Sequence, residues 1–78
     1  MQLSEKISEV AQGLGCQKEE VMFQHNTMFG TTFKTIEHYL VVFLTNQEMY
    51  YLDHENESTL NEADLIKNTK EGKVYAFC

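Results

Sequence analysis

Arginine is absent from this 78-residue sequence, and so is proline. All six basic residues are lysines, and twelve acidic residues outnumber them, which gives a formal net charge of −6 at pH 7. Arginine supplies the bidentate contacts to bases and phosphates that nucleic-acid-binding proteins favour. Its absence from an acidic chain therefore predicts that the protein does not bind DNA or RNA directly.

Long apolar runs and a basic leader are missing as well. The longest apolar run covers residues 39–44, far short of the roughly 18 residues that a membrane helix needs. Glu5, Lys6 and Glu9 occupy the positions where a secretory signal would be basic and then apolar. We therefore expect a complete cytoplasmic product that begins at Met1 and does not insert into membranes. Because no repeat or low-complexity tract interrupts the chain, we expect one domain over residues 1–78.

The sequence also has few groups that indicate catalysis or metal binding. There is no glycine-rich phosphate loop and no nucleophile elbow, so we expect neither an enzyme nor a cofactor. Cys16 and the three histidines, His25, His38 and His54, lack the spacing of a metal site and fall on different predicted elements. The acidic residues 53–64 imitate a calcium loop, but Ser58 occupies the position of the glycine that its sharp turn requires. We interpret Cys16 and Cys78 as free thiols of a reducing compartment.

Hydrophobic periodicity predicts an α+β fold. The spacing of Leu3, Ile7, Val10 and Leu14 indicates an amphipathic helix that ends near Gly15. The remaining pattern predicts a small antiparallel β-meander of three to four strands and a short second helix, in the order α-β-β-β-α-β. The predicted strands cover residues 21–29, 35–45, 49–52 and 73–77, with turns at 30–32 and 46–47. A loop at 54–58 and a helix from Ser58 or Thr59 to Ile66 complete the prediction, with Thr59 and Glu62 in capping-box spacing.

The run at residues 39–44 is apolar on both faces of the predicted strand. β-Branched and aromatic residues favour strands, and a strand that is apolar on both sides is central or offers one face to a partner. We therefore predict that the strand around Val41 is central and that at least half of its residues are buried.

Residues 19–53 resemble the opening of bacterial pleckstrin-homology-like domains. The resemblance rests on Glu19-Glu20-Val21-Met22 and on the segment 40–52, which has the apolar-Thr-Asn-x-x-apolar pattern of a hairpin in that family. Only 25 residues follow Asp53, so the resemblance implies a truncated pleckstrin-like adaptor. Such an adaptor would bind a peptide, or a second copy of itself as a homodimer, through a sheet edge.

Acidic residues are concentrated in the second half of the chain. Residues 35–66 contain seven acidic residues and no basic one. A field of one sign steers association with surfaces of the opposite sign, and tyrosines supply contact area in interfaces. We therefore predict a partner-binding site formed by Glu48, Tyr50, Tyr51, Asp53, Glu55, Glu57, Glu62 and Asp64.

The function that this site indicates is a non-catalytic protein–protein interaction module. The protein would be a small acidic regulator or inhibitor, of bacterial or phage origin, that covers a basic surface of its partner. A nucleic-acid-handling protein would be blocked in this way through mimicry of phosphate charge, by analogy with small acidic phage proteins. Two further interpretations stay open: a minimal enzyme or metal-binding protein, and acidic residues that serve solubility alone.

Overall fold

A five-stranded antiparallel sheet organises residues 1–77, the part of the chain that the computed structural model describes. The sheet order is β1-β2-β3-β5-β4. In chain order the elements are α1 (Leu3–Leu14), a single 3-10 turn (Lys18–Glu20), β1 (Met22–Thr27), β2 (Gly30–Lys34), β3 (Leu40–Thr45), α2 (Asn46–Tyr50), α3 (His54–Leu60), β4 (Asp64–Asn68) and β5 (Gly72–Phe77). The predicted α+β class is confirmed, with five strands and three helices in place of the predicted three to four strands and two helices.

The amphipathic helix α1 forms where its periodicity predicts it. Gln2 donates its backbone N–H to the Glu5 carboxylate over 3.2 Å at the start of the helix. Gly15, at φ 70°, ends it in the left-handed conformation that glycine adopts without a Cβ penalty. Val10 and Ala11 are buried against the sheet, so we call the side of the sheet that α1 covers the α1 face.

The main core lies between α1 and the sheet. Phe33, Val41, Phe43 and Val74 are fully buried there, together with Val10 of α1. Alternate residues of the same strands point to the opposite side, where Val42, Leu44 and Phe77 are buried in a smaller cluster. We call this opposite side the second face; residues of α2, α3 and the segments that follow each of them pack on it.

The strand β3 is central, as predicted. It pairs with β2 on one side and with β5 on the other, and residues 41–44 are all buried. The strand begins at Leu40, whereas the sequence predicted a start at residue 35. The difference arises because residues 35–38 close a turn, in which Thr35 and His38 exchange hydrogen bonds of 3.0 and 3.1 Å.

The predicted turn and strand at residues 46–52 are wrong. Residues 46–50 form the helix α2 instead, because Thr45 and Glu48 make a reciprocal capping box. The Glu48 N–H donates to Thr45 Oγ1 over 3.2 Å, and the Thr45 N–H donates to Glu48 Oε1 over 2.8 Å. Both orphan donors at the start of the helix are thereby satisfied.

The predicted loop at residues 54–58 and the helix ending at Ile66 are also wrong. The helix α3 begins earlier, because the Asp53 carboxylate caps it by accepting the Asn56 N–H over 2.9 Å. It ends at Leu60, which leaves residues 64–68 free to pair with β5 as the edge strand β4. The predicted last strand at 73–77 is confirmed as β5.

The predicted strand at residues 21–29 is confirmed as β1, but the following turn is misplaced. Gly30 lies within β2 and pairs with Thr27. The turn falls at Met28 and Phe29, because the Thr27 hydroxyl accepts the Phe29 N–H over 3.0 Å and donates to the Gly30 carbonyl over 2.9 Å. The strand β1 is consequently shorter than predicted and forms the edge of the sheet opposite β4.

Candidate interaction face

The structure separates the predicted site residues into groups with different environments. Tyr50 and Tyr51 lie at the end of α2, and Glu55 and Glu57 lie on α3; all four are exposed. We call these four residues, together with the exposed Glu62 that follows α3, the acidic face. Its members come from the two helices of the second face and from the short segments beside them.

Three other predicted residues are placed differently. Glu48 is half-buried, and its carboxylate is occupied by the cap of α2. Asp53 caps α3 and also accepts the side-chain amide of Asn56 over 3.0 Å. Asp64 pairs with Ala76, whose side chain belongs to the core under α1, so the register directs Asp64 toward the α1 face. Glu48 and Asp53 therefore position the helices, and Asp64 lies on the other side of the sheet.

The carboxylates of the acidic face have few partners of their own. Within residues 1–77, the side chains of Glu55 and Glu62 make no hydrogen bond or ion pair. Glu57 lies 3.9 Å from Nδ1 of His54, which is itself fully exposed. An exposed pair of this kind contributes little to stability. These three carboxylates are free to interact with another molecule.

Two of the six lysines are bonded to groups on the α1 side of the sheet. Lys67 bonds to Glu9 over 2.9 Å and to Gln12 over 2.7 Å, both on α1. Lys6, also on α1, donates to Thr31 over 2.9 Å. These ammonium groups are thus held on the α1 side of the sheet. Lys73 differs, because it pairs with Leu44 of the smaller cluster and therefore points to the second face.

Tyr50 and Tyr51 form an exposed aromatic pair. Their ring centroids are 5.2 Å apart with an interplanar angle of 89°, an edge-to-face arrangement. The two residues are 83% and 72% exposed. Tyrosine is enriched in protein interfaces because it offers a large apolar area together with a hydroxyl group. The pair therefore gives the acidic face a group that can be buried against a partner.

Beside α3 lies an apolar groove that the sequence did not reveal. Its volume is about 160 Å³, and buried Val42, Leu44 and Phe77 of the sheet line it. Asn56 and Leu60 of α3 form one wall. The groove depends on where α3 packs, and the sequence interpretation had placed a loop in that position. The Asp53 cap, which fixes the start of α3, was the signal that could have located this wall.

The structure does not gather Cys16 and the three histidines into one cluster within residues 1–77. Cys16 and His38 line a cavity of about 270 Å³ with Glu20 and Glu37, whereas His25 lies on β1 and His54 on α3. Across residues 1–77 no group of three potential metal ligands occurs. Burial, followed by the nearby Glu20 carboxylate, raises the pKa of the Cys16 thiol, so this group stays protonated at neutral pH. The other predicted free thiol, Cys78, lies outside the described residues.

No protein-family model, curated protein or solved structure matches this chain. The resemblance to pleckstrin-homology-like domains accordingly stays a prediction. None of the helices in residues 1–77 is long and apolar enough to span a membrane. The function is therefore argued from the surface of the protein itself.

Proposed function

We propose that the protein is a non-catalytic interaction module that covers a basic surface of a partner protein with its acidic face. The observations that support this proposal best are the exposed Tyr50–Tyr51 pair and the carboxylates of Glu55 and Glu62, which have no ion-pair partner within residues 1–77. Aromatic residues with a polar group are typical anchors of interfaces, and the flanking charges select the partner.

The two parts of the face have different tasks in this proposal. The carboxylates of Glu55, Glu57 and Glu62 attract a basic surface over a distance of about the Debye length, roughly 10 Å at 0.1 M salt. They act mainly on the rate of association. The tyrosines act after contact, when their rings become buried and slow dissociation. The partner is a protein rich in lysine or arginine, for which a nucleic-acid-handling protein is the natural candidate because its own surface is complementary to phosphate.

Reversal of charge on α3 should slow the association. We expect Glu55→Lys, alone and with Glu57→Lys, to lower the association rate by about ten-fold or more. A partner is first isolated from the native host by affinity capture and identified by mass spectrometry, and the rates are then measured by surface plasmon resonance across a salt series. The rate of the wild-type protein should fall as salt rises.

A matched control is provided by Glu19→Lys. Glu19 is equally exposed and gives the same change in net charge, but it lies on the 3-10 turn beside α1. Its reversal should change the rate much less than Glu55→Lys does. Equal effects of the two reversals, or an affinity that does not depend on salt, would mean that the acidic residues serve solubility alone. Direct binding of DNA or RNA by the wild-type protein would contradict the proposal altogether.

The edge strand β1 supports a second candidate function, self-association. All six residues of β1 are exposed, and none of them is charged. The opposite edge, β4, carries Asp64 and Lys67. Charged residues and bulges protect sheet edges from pairing, and β1 has only a bulge near Gln24. Two copies could therefore pair along β1 without bringing like charges together, although the bulge shortens the regular stretch.

A lysine on this edge should prevent the pairing. We expect the wild-type protein to form a weak, concentration-dependent dimer in sedimentation velocity and Gln24→Lys to remain a monomer. Within residues 1–77 the Gln24 side chain hydrogen-bonds to the neighbouring Phe23 carbonyl and to no other group, so we expect the sheet to stay intact in this variant. The control is Gln47→Lys on α2, an exposed position with the same change of charge, which should dimerise like the wild type. A wild-type protein that is monomeric at every concentration would rule out this function.

A further inference from the structure

We propose that the groove beside α3 receives one apolar side chain of the basic partner, next to a lysine or arginine of the same segment. The inference rests on the proposed function and deepens it, because it identifies the position and chemistry of the anchor residue. It depends on three properties of the groove: its apolar lining, its size and the charges at its rim.

The lining of the groove is apolar and partly open. Val42, Leu44 and Phe77 form the floor and belong to the smaller core cluster. Leu60 packs against this cluster from α3. Phe29 of the β1–β2 turn also lines the groove, and 40% of its surface is exposed. Apolar surface that remains accessible next to a core gains free energy when another apolar group covers it.

The size of the groove restricts its occupant. Its volume is about 160 Å³, whereas pockets for drug-sized ligands usually measure about 300–1,000 Å³. Apolar cavities of about 150 Å³ hold a molecule the size of benzene. The groove therefore has room for one leucine or phenylalanine side chain.

The charges at the rim identify the kind of segment that carries this side chain. Asn56 lines the groove and donates to the Asp53 carboxylate, which places that carboxylate next to the opening. Glu55 lies one turn before Thr59, which lines the groove and donates its hydroxyl to the Glu55 carbonyl over 3.2 Å. The Glu55 side chain has no partner within residues 1–77 and lies on the same side of α3 as Thr59. A segment that enters the groove beside α3 therefore meets these two carboxylates. A basic residue adjacent to the apolar one complements them, and an acidic segment is repelled.

The packing of α3 allows the groove to accept a side chain. Every residue of α3 is exposed or half-buried, with Leu60 as its main apolar contact to the sheet. Elements with few buried apolar contacts move at low cost in free energy. A small displacement of α3 can adjust the width of the groove without disturbing the core on the α1 face.

Two synthetic peptides test the inference by NMR titration of the full chain. One is a lysine peptide with a single central leucine, and the other has alanine in place of the leucine. We expect the leucine peptide to shift the methyl signals of Val42, Leu44 and Leu60 together with the backbone amides of α3. The alanine peptide should shift only the amides and bind about ten-fold or more weakly.

A variant whose side chain fills the groove provides a second test of the inference. Thr59 lines the groove and Ser58, its neighbour on α3, does not. Thr59→Phe should abolish the methyl shifts and reduce the advantage of the leucine peptide, whereas Ser58→Phe should leave both unchanged. If both peptides shift the α3 amides equally and the methyl signals do not move, the groove is not the anchor site but the acidic face still binds. If neither peptide shifts α3, or the shifts fall on β1, the proposed function fails along with the inference.

Discussion

Replacement of Phe43 by alanine is expected to destabilise the protein by about 3–5 kcal/mol, the usual cost of removing a buried phenylalanine from a core. Phe43 is fully buried in β3, where it pairs with residues of both neighbouring strands and packs in the core under α1. A single core in a domain of this size supplies only about 3–5 kcal/mol of net stability. We therefore expect Phe43→Ala to be largely unfolded at 25 °C, as measured by far-ultraviolet circular dichroism and urea denaturation.

The matched control for this substitution is Ile36→Ala. Ile36 is also a large apolar residue, but 91% of its surface is exposed in the turn before β3. Its replacement should change the free energy of unfolding by about 0.5 kcal/mol or less. A Phe43→Ala variant that unfolds cooperatively within about 1 kcal/mol of the wild type would contradict the placement of Phe43 in the core.

Hydrophobic periodicity in the sequence correctly predicted the helix α1 and the central position of the strand β3. In α1 the apolar residues repeat at helical spacing and Gly15 ends the helix, so the type of the element and its end were predicted correctly. In β3 the run at residues 41–44 is apolar on both faces, which requires a covered central strand. In both elements, the local pattern and the tertiary packing favour the same structure.

The segment from 46 to 66 was misassigned because two capping signals compete there. The spacing of Thr45 and Glu48 is the same as that of Thr59 and Glu62, but the sequence interpretation considered only the second pair. The structure uses the first pair, because Thr59 already lies within a helix that the Asp53 carboxylate began. The β-propensity of residues 49–52 favoured a strand, but these residues are not part of the sheet in residues 1–77.

The candidate site was predictable in its charge and not in its geometry. Sequence composition identified the acidic segment and its tyrosines. It could not distinguish Glu48 and Asp53, whose carboxylates cap helices, from Glu55, which has no partner within residues 1–77, because capping depends on where each helix begins. The groove was missed for a similar reason, since Phe29 and Leu60 are brought to it by tertiary packing.

Gly72→Ala should disrupt the junction between the sheet and the acidic face. Gly72 is buried at the start of β5 and pairs with Thr45 at the end of β3. An added Cβ would clash with the Leu44 carbonyl oxygen and lie 2.7 Å from Cα of Thr45. Both atoms belong to the backbone of a central strand that is packed on both faces, so neither can move away easily. We expect a loss of about 1–3 kcal/mol in the free energy of unfolding, the usual range of overpacking effects.

A control with the same chemical change is available at Gly13. The Cβ of an alanine there would lie 2.8 Å from Cγ2 of Ile66 and 3.2 Å from Cβ of Lys67, both on the edge strand β4 and neither of them a backbone atom. Alanine is also favoured over glycine within a helix by about 1 kcal/mol, which offsets part of the contact. Gly13→Ala should therefore lose clearly less stability than Gly72→Ala in urea denaturation. A Gly72→Ala variant of equal stability would show that β3 and β5 approach less closely than the structure indicates.

The Gly72 substitution should also affect the acidic face before the whole domain unfolds. The Asn46 N–H at the start of α2 donates to the Glu71 carbonyl over 2.9 Å, and its side-chain amide donates to the Lys70 carbonyl over 2.7 Å. Displacement of residues 70–72 removes these contacts and with them the attachment of α2, which positions Tyr50 and Tyr51. Amide hydrogen exchange should therefore become faster in α2 than in α1. Equal exchange in both helices would mean that α2 is held by its Thr45–Glu48 cap and by its packing on the sheet, without help from the β4–β5 turn.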